Sequence, residues 1–172
     1  MRQAHTGNIW LNFDEKYTIK AGYHWLHPEG EKVIWHNWVW NSFYVSKHSL
    51  ISWMDAKGKL RTRDKLVAVG VSSDNNCALC NQATKDCHHL FFRCPFSKMV
   101  CTGLLQWLGI RNLVIEFVYT HWKKWGRNHG SKRRQKIGYV ILAAVVYEVW
   151  KARNSAMWNL KVPCPKVVVR RI

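Results

Sequence analysis

Acidic side chains are scarce in this sequence: ten Asp and Glu stand against 27 Lys and Arg, giving a formal net charge of +17 over 172 residues. A field of that sign selects polyanions such as nucleic acid or anionic lipid as partners, and it bears on association, not on fold. The few carboxylates are scattered. No Tyr-x-Asp-Asp-type or other paired-Asp motif is present to hold the two magnesium ions of a polymerase, and no nuclease-like grouping occurs. A Gly-rich phosphate loop is also missing. Long apolar runs are absent, the longest (residues 140–147) falling far short of the ~20 residues of a membrane span. The opening Met1-Arg-Gln-Ala-His-Thr-Gly has neither an apolar core nor a cleavage site. The expectation is therefore an intracellular protein of nucleus or cytoplasm, not secreted, with no membrane partner and no small-molecule substrate.

What the chain does hold is a cluster of metal-ligand residue types. Cys77-Ala-Leu-Cys80 is followed by His89 and then, five positions on, by Cys94. Two thiols at i and i+3 grip one metal from a single tight turn, and a His and a Cys close the tetrahedron from the start of a helix. Thiolate with imidazole selects zinc over magnesium or calcium, whose preferred ligands are oxygens. Four protein ligands leave no open position, so the expected role of the one Zn2+ is structural. His88 adjoins His89, and Cys87 offers an all-cysteine set with Cys77, Cys80 and Cys94. The spacing from His89 to Cys94 matches the second half of a zinc knuckle and favours His89. Six cysteines without a signal peptide favour metal over disulfides. The spare thiols Cys87, Cys101 and Cys164 read as inert.

His89-Leu-Phe-Phe-Arg-Cys94-Pro95 after Cys77-x-x-Cys80 resembles the reverse transcriptase zinc-binding domain of plant LINE-type retrotransposons. The resemblance extends over about residues 17–159, through Val33-Ile34-Trp35, Trp38-Val39-Trp40, Ser46-Lys47-His48 and Arg61-Thr-Arg-Asp-Lys-Leu66, then Trp107-Leu-Gly109 and Tyr147-Glu-Val-Trp-Lys-Ala-Arg-Asn154. It departs from the family at Ser46 (usually Pro), Lys85 (often acidic) and Cys101 (often Trp). The resemblance implies a non-catalytic domain downstream of a polymerase, helping that reverse transcriptase polypeptide hold template RNA or target DNA. Its eroded positions also allow a retroelement remnant that folds on zinc and serves as a protein-interaction piece or nothing.

Periodicity and breakers predict a mainly α fold: small helices around a single zinc-knuckle-like Cys-Cys-His-Cys site, followed by a C-terminal helical hairpin. Residues 1–16 show little periodicity and read as a lead-in, 17–109 as the zinc-binding domain, 110–160 as the basic hairpin and 161–172 as a tail. Thr18 caps a helix with Ile19, Tyr23 and Leu26 on one face, stopped by Pro28 and Gly30. Trp35, Trp38 and Val39 share a short helical face, and Phe43-Tyr44-Val45 reads as an extended crossing. Ser46 caps the next helix, with Leu50, Trp53, Met54 and Lys57 as its core stripe and Gly58 as its stop. Thr62 opens another, with Leu66 and Val69 inward and Gly70 at its end. Pro95 suits the first turn of a helix carrying Phe96, Val100, Leu104 and Leu108. The hairpin consists of 113–125 and a long helix from Ser131, apolar from Ile137 to Trp150 and polar again at Lys151 and Arg153. Eleven tryptophans read chiefly as core anchors. Pro163 and Pro165 are expected to break regular structure.

Nucleic-acid contact has two candidate surfaces. Between Phe117 and Tyr147 there are seven basic residues and no acidic one: Lys123, Lys124, Arg127, Lys132, Arg133, Arg134 and Lys136. Such a run is commonly a solvated face, and Lys132 to Lys136 also fits a nuclear localisation signal. Three cations in the first turn of a helix nevertheless oppose its macrodipole, at ~0.3–1 kcal/mol each, and phosphate would compensate them. Trp122 and Trp125 interleave with them, either as base-stacking platforms or as a core face. The other surface is the knuckle, with Arg93 and Lys98 and the upstream Arg61, Arg63 and Lys65. Zinc knuckles grip unpaired bases, so the expected partner is single-stranded RNA or DNA.

Overall fold

Gly, Pro and cap residues divide the chain into helices of very different length. The computed structural model describes residues 36–74, 76–82, 88–109 and 131–172, all within one unit, Ile34–Ile172. In chain order they hold α1 (His36–Val39), α2 (Ser46–Ala56), α3 (Arg63–Ala68), a π-turn (His89–Arg93), α4 (Pro95–Trp107), α5 (Lys132–Trp158) and α6 (Pro165–Val169). The chain is mainly helical, and no strand occurs among the described residues. No helix among them is long and apolar enough to cross a membrane. The lead-in at 1–16, the expected helices at 18–26 and 113–125 and the turn at 126–130 lie outside the described residues, as do the side chains of Asn37 and Trp38.

α5 is the spine. Ser131 caps it, its hydroxyl accepting from the Arg134 N–H at 3.2 Å. Gly138, Leu142, Val145, Val149, Ala152 and Ala156 recur at alternating steps of three and four and form its buried seam. α2 lies along this spine. Its buried residues are not the expected large ones: Leu50 is exposed, Trp53 and Met54 are half-buried, and Ser49 and Ser52 face the interior. Trp53 and Met54 pack against the core from its margin, and His48 meets Tyr147 of α5 with ring centroids 4.7 Å apart. Val45, in extended conformation, occupies the cap position, so Ser46 is the first helical residue and no side chain caps α2. Phe43 sits in a turn and Val45 is extended, so the expected three-residue crossing does not begin at Phe43. At α3, Leu66 is buried as expected whereas Val69 is exposed. Gly58, Gly70 and Gly109 end α2, α3 and α4 with φ of 61°, 72° and 68°, the left-handed region that a Cβ disfavours.

The residues after Pro163 do not form an irregular tail. Pro165 takes the first position of α6, which packs on α4 and buries Val168 completely. Arg153 is likewise buried: it donates to the Arg61 carbonyl at 2.8 Å and lies over the Trp150 ring at 4.7 Å, tying α5 to the loop before α3. A single core cluster then runs from Val39 and Leu60 through Phe91, Phe96, Val100 and Leu104 to Val145, Val149 and Val168.

Two substitutions separate the kinds of contact in this core. Val168→Ala is expected to cost about 1–3 kcal/mol in urea unfolding with unchanged denaturant dependence, because it empties space in a closed site. Ser52→Ala should leave stability unchanged or raise it. The Ser49 and Ser52 hydroxyls have no hydrogen-bond partner among the described residues, and a buried unsatisfied polar group costs ~1–3 kcal/mol.

Candidate metal centre

Arg63 sets the approach to the first ligands. Its guanidinium donates to Asp74 Oδ2 and to the Asn76 carbonyl, both at 2.8 Å. Asp74 Oδ1 in turn accepts the Asn76 N–H at 2.9 Å. The next residue is Cys77. From there the chain closes a tight loop: the Asn81 N–H donates to the Cys77 carbonyl at 2.8 Å and the Cys77 N–H to the Gln82 carbonyl at 2.9 Å. Asn81 adopts φ 57°, a conformation that Asn tolerates better than most residues. The turn aims backbone N–H groups at sulfur: those of Leu79 and Cys80 at Cys77, and that of Gln82 at Cys80. Such donors stabilise thiolates.

The second pair of ligands depends on a feature absent from the sequence reading. Positions five apart on an α-helix point ~140° away from each other, which would hold His89 and Cys94 apart. The chain instead makes a π-turn over His89–Arg93, closed by the Cys94 N–H donating to the His89 carbonyl at 2.7 Å. Leu90, Phe91 and Phe92 of this turn are buried and anchor it in the core. Cys94 is then the cap position of α4, with Pro95 at the first helical site. Its sulfur faces the N–H groups of Phe96 and Ser97, the positive end of the helix.

The ligand atoms of Cys77, Cys80, His89 and Cys94 all lie within 4.8 Å of one another. Cys77 Sγ is 3.9 Å from Cys94 Sγ, and Cys80 Sγ is 3.4 Å from His89 Nε2. A zinc tetrahedron with Zn–S of ~2.3 Å and Zn–N of ~2.0–2.1 Å has edges of about 3.8 Å and about 3.6 Å, so both pairs fit. His88 is exposed and rests edge-on to Phe92 at 5.7 Å, outside the cluster; Cys87 lies outside the described residues. The thiols are electrostatically unequal. The hydrogen bond from Cys94 lowers Cys77, while Cys94 is raised by donating that bond, by burial and by the Cys77 charge. Burial raises Cys80. Three thiolates crowded this closely need a cation between them, and a divalent metal supplies it. Cys101 is different: buried, away from the cluster, its thiol is pushed up to about 12 and has no nucleophilic use.

The basic residues are less concentrated. Lys132, Arg133, Arg134 and Lys136 are exposed on the first turns of α5, Lys136 donating to the Ser42 hydroxyl at 3.2 Å. Arg93 is exposed at the end of the π-turn and Lys98 is half-buried on α4. Arg63 and Lys65 also make contacts within the protein, Arg63 with Asp74 and Lys65 with the Gly58 carbonyl. Lys123, Lys124 and Arg127, with Trp122 and Trp125, lie outside the described residues. Sequence reasoning gave Trp107 no role on α4 beyond the family resemblance, and it is 77% exposed. Its position off the 96–100–104 stripe was the available signal.

Fold and cluster together define a zinc-stapled helical protein whose four-coordinate site is closed by its own side chains. Residues 17–100 match the family model described as zinc-binding in reverse transcriptase, and all four cluster residues fall inside that span. The match supports a reverse transcriptase zinc-binding domain carrying one zinc ion. No curated protein and no solved structure matches the chain.

Metal analysis of variants checks the ligand set. His89→Ala and Cys94→Ala should lose the zinc, whereas His88→Ala should keep it at the wild-type stoichiometry. Chelation should also abolish most of the helical circular dichroism. Metal contributes ~10–16 kcal/mol of apparent folding energy in zinc-finger peptides, against ~5–15 kcal/mol of net stability for a domain.

Proposed function

We propose that the chain is a non-catalytic module of a plant LINE-type reverse transcriptase polyprotein that holds single-stranded RNA template or target DNA for the polymerase. Zinc has a scaffolding role in this reading: it fixes the knuckle and the start of α4, and cationic side chains do the binding. The observation that carries it is the first turn of α5, where Lys132, Arg133 and Arg134 stand exposed at the positive end of a 27-residue helix. Three cations there repel the helix dipole, and bound phosphate turns that cost into attraction. Arg93 and Lys98 add cations beside the knuckle. Lys123, Lys124 and Arg127 extend the same basic run in sequence. Its place is intracellular, in nucleus or cytoplasm, where polyanionic templates are found.

A second reading, a retroelement remnant that serves as a protein-interaction piece, draws on exposed Trp40, Phe43 and Tyr44 between α1 and α2. Exposed aromatics of this kind suit a protein partner.

Binding of labelled single-stranded RNA at several salt concentrations separates the two. Replacing Lys132, Arg133 and Arg134 together by Ala should flatten the plot of log affinity against log salt by about two units, at ~0.7 per phosphate lost. An unchanged slope removes this patch from the interface. Affinity no greater than that of any protein of similar charge favours the remnant.

A further inference from the structure

α4 and α6 are joined by an unusually close contact. A Cβ on Gly103 would stand 3.2 Å from Val169 Cγ2, so glycine lets α6 settle onto α4. Beside this seam lies a groove of about 780 Å³. Met99 and Trp107 of α4 form its exposed apolar wall, at 54% and 77% exposure. Lys98, Lys166 and Arg170 line its edge. Neither helix contains an acidic residue, and none of these three cations pairs with a carboxylate among the described residues.

We propose that this groove is a base-stacking subsite for single-stranded nucleic acid, with an unpaired base on the Trp107 indole and flanking phosphates on Lys98, Lys166 and Arg170. The inference rests on the nucleic-acid reading above and assigns it a surface other than the start of α5. A volume of this order suits a drug-sized molecule, so it admits one or a few unstacked bases and not a duplex. Lys98 and Trp107 lie nine positions apart on α4, about 14 Å along the axis. An indole face is sequence-tolerant, since every base has a π-face. An acidic amphipathic peptide fits less well. It requires a continuous apolar stripe, and Lys98, Thr102 and Gln106 interrupt this one. The metal bears directly on the groove's geometry: Cys94 caps α4, and the Lys98 N–H donates to the Cys94 carbonyl at 2.9 Å.

Fluorescence anisotropy of the zinc-loaded full chain with a 12-nucleotide oligouridine and an abasic oligomer of equal charge tests this. Trp107 is on the surface, so Trp107→Ala should fold as wild type by circular dichroism. It should bind oligouridine about 5- to 100-fold more weakly, keep its salt slope, and bind the abasic oligomer as before. Trp107→Phe should recover most of the affinity. Replacing Lys98, Lys166 and Arg170 by Ala should flatten the slope instead. Wild-type affinity in Trp107→Ala, with tight salt-dependent binding retained, overturns the groove and leaves the broader function standing. Equal affinity of the wild type for oligouridine and the abasic oligomer also overturns the groove. Failure of the wild type to bind either oligomer brings down both readings, and an acidic peptide that binds while oligouridine does not assigns the groove to protein.

Discussion

Four donor atoms must reach one point, and most of the architecture around them follows from that requirement. Two come from a tight loop whose left-handed Asn81 closes it, and two from a π-turn that ends as the cap of α4. None of these pieces has the length or apolar area to hold its shape alone. Buried Cys77 and Cys94 belong to the same cluster as Phe91, Phe96 and Val100, so the metal site and the apolar core share a boundary. An ion between these donors supplies the positive charge that holds three sulfurs and an imidazole within 4.8 Å of one another.

The core itself is held by contacts of three different kinds. α5 meets α2 through Tyr147, whose ring lies 4.7 Å from that of His48 and 5.2 Å from the Lys47 ammonium. It meets the π-turn and α4 across large apolar side chains. Through Arg153 it meets the loop before α3 by a buried guanidinium whose charge is shared between a carbonyl and an indole face. Cationic side chains therefore serve two purposes: Arg153 and Arg63 are internal braces, while Lys132 to Arg134 remain in water.

The cluster of Cys77, Cys80, His89 and Cys94 was legible in sequence because a Cys-x-x-Cys turn with a His and a Cys at knuckle spacing leaves little else for those residues to do. α4 and α5 were legible through apolar periodicity, Pro95 and Ser131. Three features were less so. The π-turn has no periodic signature, since it is a single turn imposed by ligand geometry. The α2 face was legible only in part: Trp53 and Met54 pack against the core as expected, whereas Leu50 is exposed and the fully buried residues are Ser49 and Ser52. α6 was hidden by its prolines and cations: Pro165 reads as a breaker until it is seen to occupy a first helical position, where its missing N–H costs nothing.

The cover that α6 gives α4 has a consequence for the order in which the protein is made. Val168 follows Val100 by some 68 positions, so at ~5–20 residues per second the ribosome takes roughly 3–14 s to supply it. Throughout that interval the zinc ligands are complete while one side of α4 remains bare. Until α6 arrives, the face of α4 that Val168 covers has no partner, so the chain emerging from the ribosome exposes an adhesive surface along α4. Such a state would be a natural client for a chaperone, and slow decoding of the α6 codons would prolong it.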